Sequence, residues 1–400
     1  MSQTVTDPLL KWRSEFEISE TCKYLISNSL GAMPKRMRAR MADYADAWNS
    51  RGVRAWGDSW WELQFEVAKD VEAILGVDAE TVSMHQNVAM ASEAIMSCFS
   101  FDGPRNRIVF TDMNFPSVMY LYEAQRVRGA EIVRVPSEDG IRIDLERLLA
   151  EIDERTLLVP ISHVLFRSAY IQDAAAIARR AREVGAFLIL DVFQSVGAVP
   201  LKLKEWGVQA AVGGALKYLC GGPGNCFLYV DPDLRAGLTP TFTGWCAHKE
   251  AFEFKTDGHN YRDDGGRFLN GTPNVPALYA GQDGIKIIRE IGVEAIRAKS
   301  MAITTKMVAR CGELGFEIRS PEKIEERGNH LSVNVRDGYE VCQVLNSEDV
   351  VCDYRPEAGL RFSPHFYTAE DEAMSALDRV AEILDNDEQA RFRGVDRRPG

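Results

Sequence analysis

Between residues 107 and 230 short, almost continuous apolar runs alternate with amphipathic stretches. "RIVFTD" (107–112) reads as a strand, "SVMYLYEAQRVRG" (117–129) as a helix ending at Gly129, and "AEIVRVP" (130–136) as the next strand. "TLLVPISHVLF" (156–166) is again a strand, "DAAAIARRAREVG" (173–185) a helix closed by Gly185, and "AFLILDVFQ" (186–194) a strand. Strands apolar on both faces and separated by helices predict a parallel sheet covered on both sides. Ligands of such an α/β sheet are expected beyond the carboxyl ends of its strands. After about residue 290 the pattern changes. A long helix over "GVEAIRAKSMAITTKMVARCGELG" (292–315) leads into shorter strands such as "HLSVNV" (330–335), and "TAEDEAMSALDRVAEILDN" (368–386) is a helix with Thr368 and Asp371 spaced like a capping box. The division this predicts is an N-terminal segment (1–50) packing with the small domain, a large α/β domain (51–290), a smaller α+β domain (291–390) and a flexible tail (391–400).

Composition narrows the classes without choosing one. The 400 residues leave ample room for a large core, and 46% hydrophobic with 26% charged residues is an ordinary globular balance. A net charge of −12 argues against nucleic acid and anionic membranes as partners. The polar N-terminus has no apolar stretch of signal-peptide length, and no run approaches the roughly 20 apolar residues of a membrane helix. Eight dispersed cysteines without a C-x-x-C pair lead us to expect a reduced, cytoplasmic protein, and six scattered histidines give no metal-ligand spacing.

The chemistry lies in two residues. Asp191 closes the apolar run "AFLIL", and Lys217 stands 26 residues later among glycines and apolar residues in "GGALKYLCGGPGNCFLYV". In a parallel sheet this spacing returns the chain to the same carboxyl edge, so both side chains can face one cavity. A lysine in a desolvated pocket has a depressed pKa and becomes a nucleophilic amine, and a buried carboxylate needs a cationic partner. These are the two groups a pyridoxal phosphate site requires, a lysine for the Schiff base and an acid for the ring nitrogen. A structural ion pair, or a lysine snorkelling to the surface, satisfies the same spacing.

The segments "SHVLFRSAYIQDAAAI", "LDVFQSVGAVPL" and "LKYLCGGPGNCFLYV" occur in the order and spacing of class V, fold-type I pyridoxal-phosphate enzymes. "GWCAHKEAFEF", "IEERGNHLSV" and "VVCDYRPEAGLRFSPHF" extend that resemblance over most of the chain, and it looks closest to the kynureninases. The resemblance implies a large cofactor-binding domain, a homodimer with its site at the interface, pyridoxal 5'-phosphate as cofactor and an amino acid as small-molecule substrate. Lys217 matches the Schiff-base lysine, Asp191 the partner of the pyridine nitrogen, and Phe115 the ring that stacks on the cofactor. Gln194 stands near the cofactor where kynureninases carry histidine and cysteine desulfurases glutamine. Asn87 and Val88, after Gln86, match the phosphate loop and helix start, Trp245 a tryptophan reaching the phosphate, and Thr272 a residue supplied across the dimer interface. Arg361 matches the arginine that takes the substrate α-carboxylate, and Arg167 one near cofactor and substrate. His163 is as consistent with a structural role as with a functional one.

Departures from the pattern bear on the reaction. Ala215 and Leu216 replace the polar residues that relatives place before the lysine, and Val88 stands where a hydroxyl is common. Arg51 and Arg54 occupy the region where kynureninases offer a histidine to the aromatic substrate, which suits a more acidic one. Trp56, Trp60 and Trp61 fit a substrate entrance or, more ordinarily, a core. Cys352, in a segment shared with kynureninases, is not expected to be a desulfurase nucleophile. The leading expectation is a kynureninase-like hydrolase or lyase that cleaves Cβ–Cγ after Lys217 removes the α-proton. Other class V chemistry (carbon–sulfur lyase or cysteine desulfurase, aminotransferase, epimerase) and a non-catalytic binding module are the alternatives.

Overall fold

The structure is a computed structural model and describes residues 7–395. Its centre is a seven-stranded sheet in the order Val82–His85, Cys226–Val230, Ala210–Gly214, Phe187–Asp191, Thr156–Ser162, Arg107–Thr111, Glu131–Val135. The pairings among the last five strands of that order are parallel; Cys226–Val230 runs antiparallel to both of its neighbours. The runs "RIVFT", "FLILD" and "CFLYV" are buried almost throughout because helices cover both faces of the sheet. The alanine-rich helix Ala174–Val184 buries its apolar stripe on one side and stops at Gly185, whose φ of 71° gives the left-handed cap.

A second sheet of four strands, in the order Asp353–Arg355, Gly359–Phe362, Leu331–Asn334, Glu317–Ile318, is antiparallel. The helices Val293–Leu314, Gly338–Ser347 and Glu370–Asp385 enclose a separate apolar core against it. The last of these helices begins one residue later than the capping box expected at Thr368. Ala369 is its N-cap, and the Glu372 carboxylate accepts from the Ala369 N–H at 2.8 Å. The Thr368 hydroxyl is used elsewhere, accepting from the His365 N–H at 2.9 Å. Of the tail expected over 391–400, residues 396–400 lie outside the described residues, and a short 3-10 helix Glu388–Phe392 covers the small core.

The N-terminal segment ties these parts together. Lys23–Tyr24 pairs in parallel with Val350–Val351, and Ser363 N–H donates to the Leu25 carbonyl at 2.7 Å. A few residues on, Gly31 N–H donates to the carbonyl of Leu216 at 2.8 Å. A side chain at Gly31 would collide with the carbonyl of Lys217, so only glycine allows this crossing. Leu216, the apolar residue before the lysine, therefore lies beneath a passing strand of backbone.

Candidate active site

Register explains why the site forms where it does. Ser162 pairs with Asp191, Asp191 with Val212, and Gly214 with Cys226, so one sheet edge carries the ends of three strands and the start of a fourth. Lys217 follows Gly214 by three residues and enters a cavity of about 350 Å³ at that edge. Asp191, Gln194, Phe115, Asn87, Val88 and Arg361 line the same cavity, as the sequence led us to expect.

The Lys217 amine lies 5.5 Å from the centre of the Phe115 ring and 5.4 Å from that of Phe193, between two aromatic faces. Burial pushes its pKa down to about 8; the charges of Arg361 and Arg355 act in the same sense, while Asp191 opposes them. A basic amine is thus available near neutral pH. Asp191 moves the other way. Burial raises its pKa, against the Phe193 N–H that donates to it at 2.9 Å, the charge of Lys217 and the Ser162 hydroxyl. Phe193 was inside a quoted motif but unassigned. Its ring fills the space a side chain at Gly214 would occupy, and the Phe227 ring does the same at Gly213, which together account for the glycine pair before the lysine loop.

The opposite wall comes from the small sheet. Arg361 is 3% exposed and donates from Nε and Nη2 to the two oxygens of Asp353, at 2.8 and 2.5 Å. Its Nη1 donates to the Phe166 carbonyl at 2.6 Å. A guanidinium has five N–H donors, so two remain for a ligand. Arg355, absent from the sequence expectations, also lines the cavity and shares Asp353 at 3.0 Å. Gln194 donates to the Asn28 carbonyl at 3.0 Å, and its own Oε1 is buried without a partner.

The class V aminotransferase family description matches residues 23–353. The chain belongs to this family. A kynureninase of Pseudomonas fluorescens is 30% identical over 396 residues, covering 95% of this chain and 93% of that one. An uncharacterized aminotransferase, YcbU of Bacillus subtilis, is 30% identical over 373 residues, 93% of this chain and 97% of that one. Among solved structures, a cysteine desulfurase of Thermococcus onnurineus NA1 superposes with a TM-score of 0.83 at 19% identity, over 94% of this chain and 98% of that one. The cystine C–S lyase C-DES superposes with a TM-score of 0.82 at 18% identity, over 92% of this chain and 99% of that one. The architecture is that of the fold-type I enzymes, and the cofactor of the class V family is pyridoxal phosphate.

The residues present fit that cofactor. A fully buried carboxylate with a raised pKa suits a protonated ring nitrogen, two aromatic faces suit a flat heterocycle between them, and Lys217 supplies the amine. The helix Val88–Met96 begins at the cavity, with Asn87 as its N-cap accepting from Met90 N–H at 3.0 Å. A phosphate placed there would be held by backbone N–H groups of the first turn, since Val88 brings no hydroxyl.

Other expected residues lie elsewhere. Trp245 is not among the cavity residues; it packs with Trp61, Phe252 and Phe254 at ring separations of 5.1, 5.8 and 6.0 Å. Thr272 is exposed in the loop before the helix Val275–Ile291, also away from Lys217. Arg167 is outside the lining, paired with Glu357 at 2.5 Å. His163 is outside the lining, buried against Trp206 at 5.3 Å, and burial pushes its pKa down to about 4. Trp56 and Trp60 pack together, with Trp60 stacked on Tyr44 in the core. Arg51 pairs with Asp58 on the surface at 2.6 Å, and Arg54 donates to the carbonyls of Ser50 and Arg51, so neither reaches the cavity. Cys352 is buried with its Sγ 3.8 Å from that of Cys342, which together with burial drives its pKa up. Among the described residues no cluster has the makeup of a metal site, and no helix is long and apolar enough to cross a membrane.

Proposed function

We propose that this chain is a kynureninase-like hydrolase or lyase that cleaves the Cβ–Cγ bond of an amino acid. One observation carries the reading. Lys217, Asp191 and Arg361 open on a single cavity whose walls come from both sheets, in a chain similar to kynureninases over nearly its full length. Bound pyridoxal phosphate supplies an electron sink at the substrate Cα. The protein does the rest. The two free N–H groups of Arg361, aimed by Asp353, hold the α-carboxylate. The Lys217 amine, with its pKa lowered to about 8, takes the proton from Cα and returns it later. Asp191 would pair as a carboxylate with the ring nitrogen, and Phe115 and Phe193 would flank the cofactor and exclude water.

Gln194 favours the desulfurase or C–S lyase alternative, and of these the desulfurase alone needs a cysteine nucleophile. Cys226 is the single cysteine lining the cavity, and burial pushes its thiol up to about 12, far from a thiolate nucleophile. We further propose a homodimer in which the neighbouring copy brings Thr272 to the phosphate, a contact of Trp245 with the phosphate, a division at residues 50 and 290 with the N-terminal segment joined to the small domain, and a cytoplasmic setting in keeping with eight free cysteines. The test has two parts. Borohydride treatment of the cofactor-loaded protein followed by peptide mapping is expected to mark Lys217. Kynurenine or 3-hydroxykynurenine is expected to give alanine plus the aromatic acid. Release of sulfide or pyruvate from cysteine derivatives, with no turnover of either kynurenine, would replace this reading by the alternative.

A further inference from the structure

The cavity holds more hydrogen-bonding capacity than the core of an amino acid consumes. The substrate amine is taken up by the cofactor and the α-carboxylate by Arg361. Two groups remain. Asn28 is wholly buried, lines the cavity, and neither its Oδ1 nor its Nδ2 has a partner. Its backbone is fixed from both sides, because its N–H donates to the Ser363 hydroxyl at 3.1 Å and its carbonyl accepts from Gln194 at 3.0 Å. The main chain is held in place while the carboxamide is left without a partner in the protein. Arg355 is the second group. One Nη2 contact to Asp353 at 3.0 Å and one Nη1 contact to the Tyr354 carbonyl at 3.3 Å leave three of its five N–H donors unused by the protein. Most of the remaining wall is apolar, with Val88, Val118, Phe166, Phe193 and Leu216 prominent. The Asn28 carboxamide, buried and unpaired, is disfavoured until something pairs with it, whereas Arg355, its side chain 33% exposed, keeps its spare donors in water until a ligand takes them.

We propose that Arg355 and Asn28 form a side-chain subsite that selects an amino-acid substrate carrying a second acidic group. The guanidinium pairs with the anion and the Asn28 carboxamide donates a hydrogen bond to the same side chain. The idea of an acidic substrate, attached in the sequence to Arg51 and Arg54, is carried in the structure by Arg355, because the former pair lies on the outer surface. Asp353 serves both arginines. Its two oxygens hold Arg361 while one of them also holds Arg355, so the groups for the α-carboxylate and for the second acid are set by one buried residue.

The inference rests on the reading of this site as a cofactor-loaded amino-acid site. It is tested by calorimetric titration of the cofactor-loaded protein with 2-methylglutamate and 2-methylnorvaline. These are equal in chain length, differ by the terminal carboxylate, and lack the α-proton needed for turnover. The acidic ligand is expected to bind at least tenfold more tightly. Arg355→Met is expected to remove most of that preference while leaving 2-methylnorvaline unchanged, Arg355→Lys to restore part of it, and Asn28→Ala to weaken the acidic ligand severalfold. Equal affinities in the unaltered protein overturn the proposal. So does an Arg355→Met variant that weakens both ligands alike, since Arg355 would then serve the α-carboxylate. If neither amino acid binds to protein that carries the cofactor on Lys217, the amino-acid reading falls together with this one. Retained preference in both Arg355→Met and Asn28→Ala, with unaltered thermal unfolding, overturns the subsite alone.

Discussion

Lys217 occupies the position where one proton decides what the residue is. Protonated, it is a cation between two phenyl rings; neutral, it is a nucleophile. Burial moves that change down to about 8, with Arg361 and Arg355 adding to the shift. A group whose pKa is lowered is more fully neutral at any given pH, so the rate at which cofactor-free protein captures pyridoxal phosphate is expected to rise with pH through about 8 and then level off. Visible absorbance after rapid mixing reads this directly. A flat profile between pH 7 and 9 would mean that the amine is not the titrating group. At the same scale, Asp353 shows how a charge acts through another charge. Buried between two arginines, it does not itself line the cavity, yet it occupies two of the N–H groups of Arg361 and so decides which remain free.

Elements were legible from the sequence to within a residue or two where periodicity and a terminating glycine agreed. The helix Ala174–Val184 with Gly185 and the helix Val293–Leu314 with Gly315 are examples. Strand direction was not legible. A strand buried on both faces reads the same whether it runs parallel or antiparallel, so nothing in "CFLYV" announced its reversal. The site divides in the same way. Lys217, Asp191, Phe115 and Arg361 stood in ordered motifs, whereas Asn28 and Arg355 depend on long-range placement. A usable signal existed for Arg355. Alternate residues of a strand share a face, and Asp353 and Arg355 are two apart in a segment already singled out. The pairing of a large residue with a missing one also belongs to this scale. The Phe193 ring needs the space above Gly214, so Gly214→Ala is expected to cost about 1–3 kcal/mol through overpacking. The double variant Gly214→Ala with Phe193→Leu is expected to recover part of the loss in urea unfolding, and additive losses would show that the two positions are independent.

Across the whole molecule, the helix Met37–Arg51 has no buried residue, and Leu30, Met33, Met41, Trp48 and Val53 around it are exposed. Trp48 alone is 61% exposed. Exposed apolar residues gathered along this segment are what a second copy would cover. Sedimentation is expected to give twice the chain mass, and Trp48→Glu to shift it toward the single chain with loss of cofactor retention. A Trp48→Glu protein that sediments unchanged would place the dimer contact elsewhere.

The crossing of the N-terminal segment governs the order in which the protein can be made. Asn28 needs Ser363, Arg13 needs Glu372, and Gly31 needs the backbone before Lys217. A chain emerging from the ribosome can pair the strands of its large sheet early, but residues 23–29 wait for partners more than three hundred positions away. The wall that carries Arg355 and Arg361 is therefore the last part to close, after the Lys217 edge is in place. A nascent chain halted before residue 350 would present the lysine and Asp191 without either arginine.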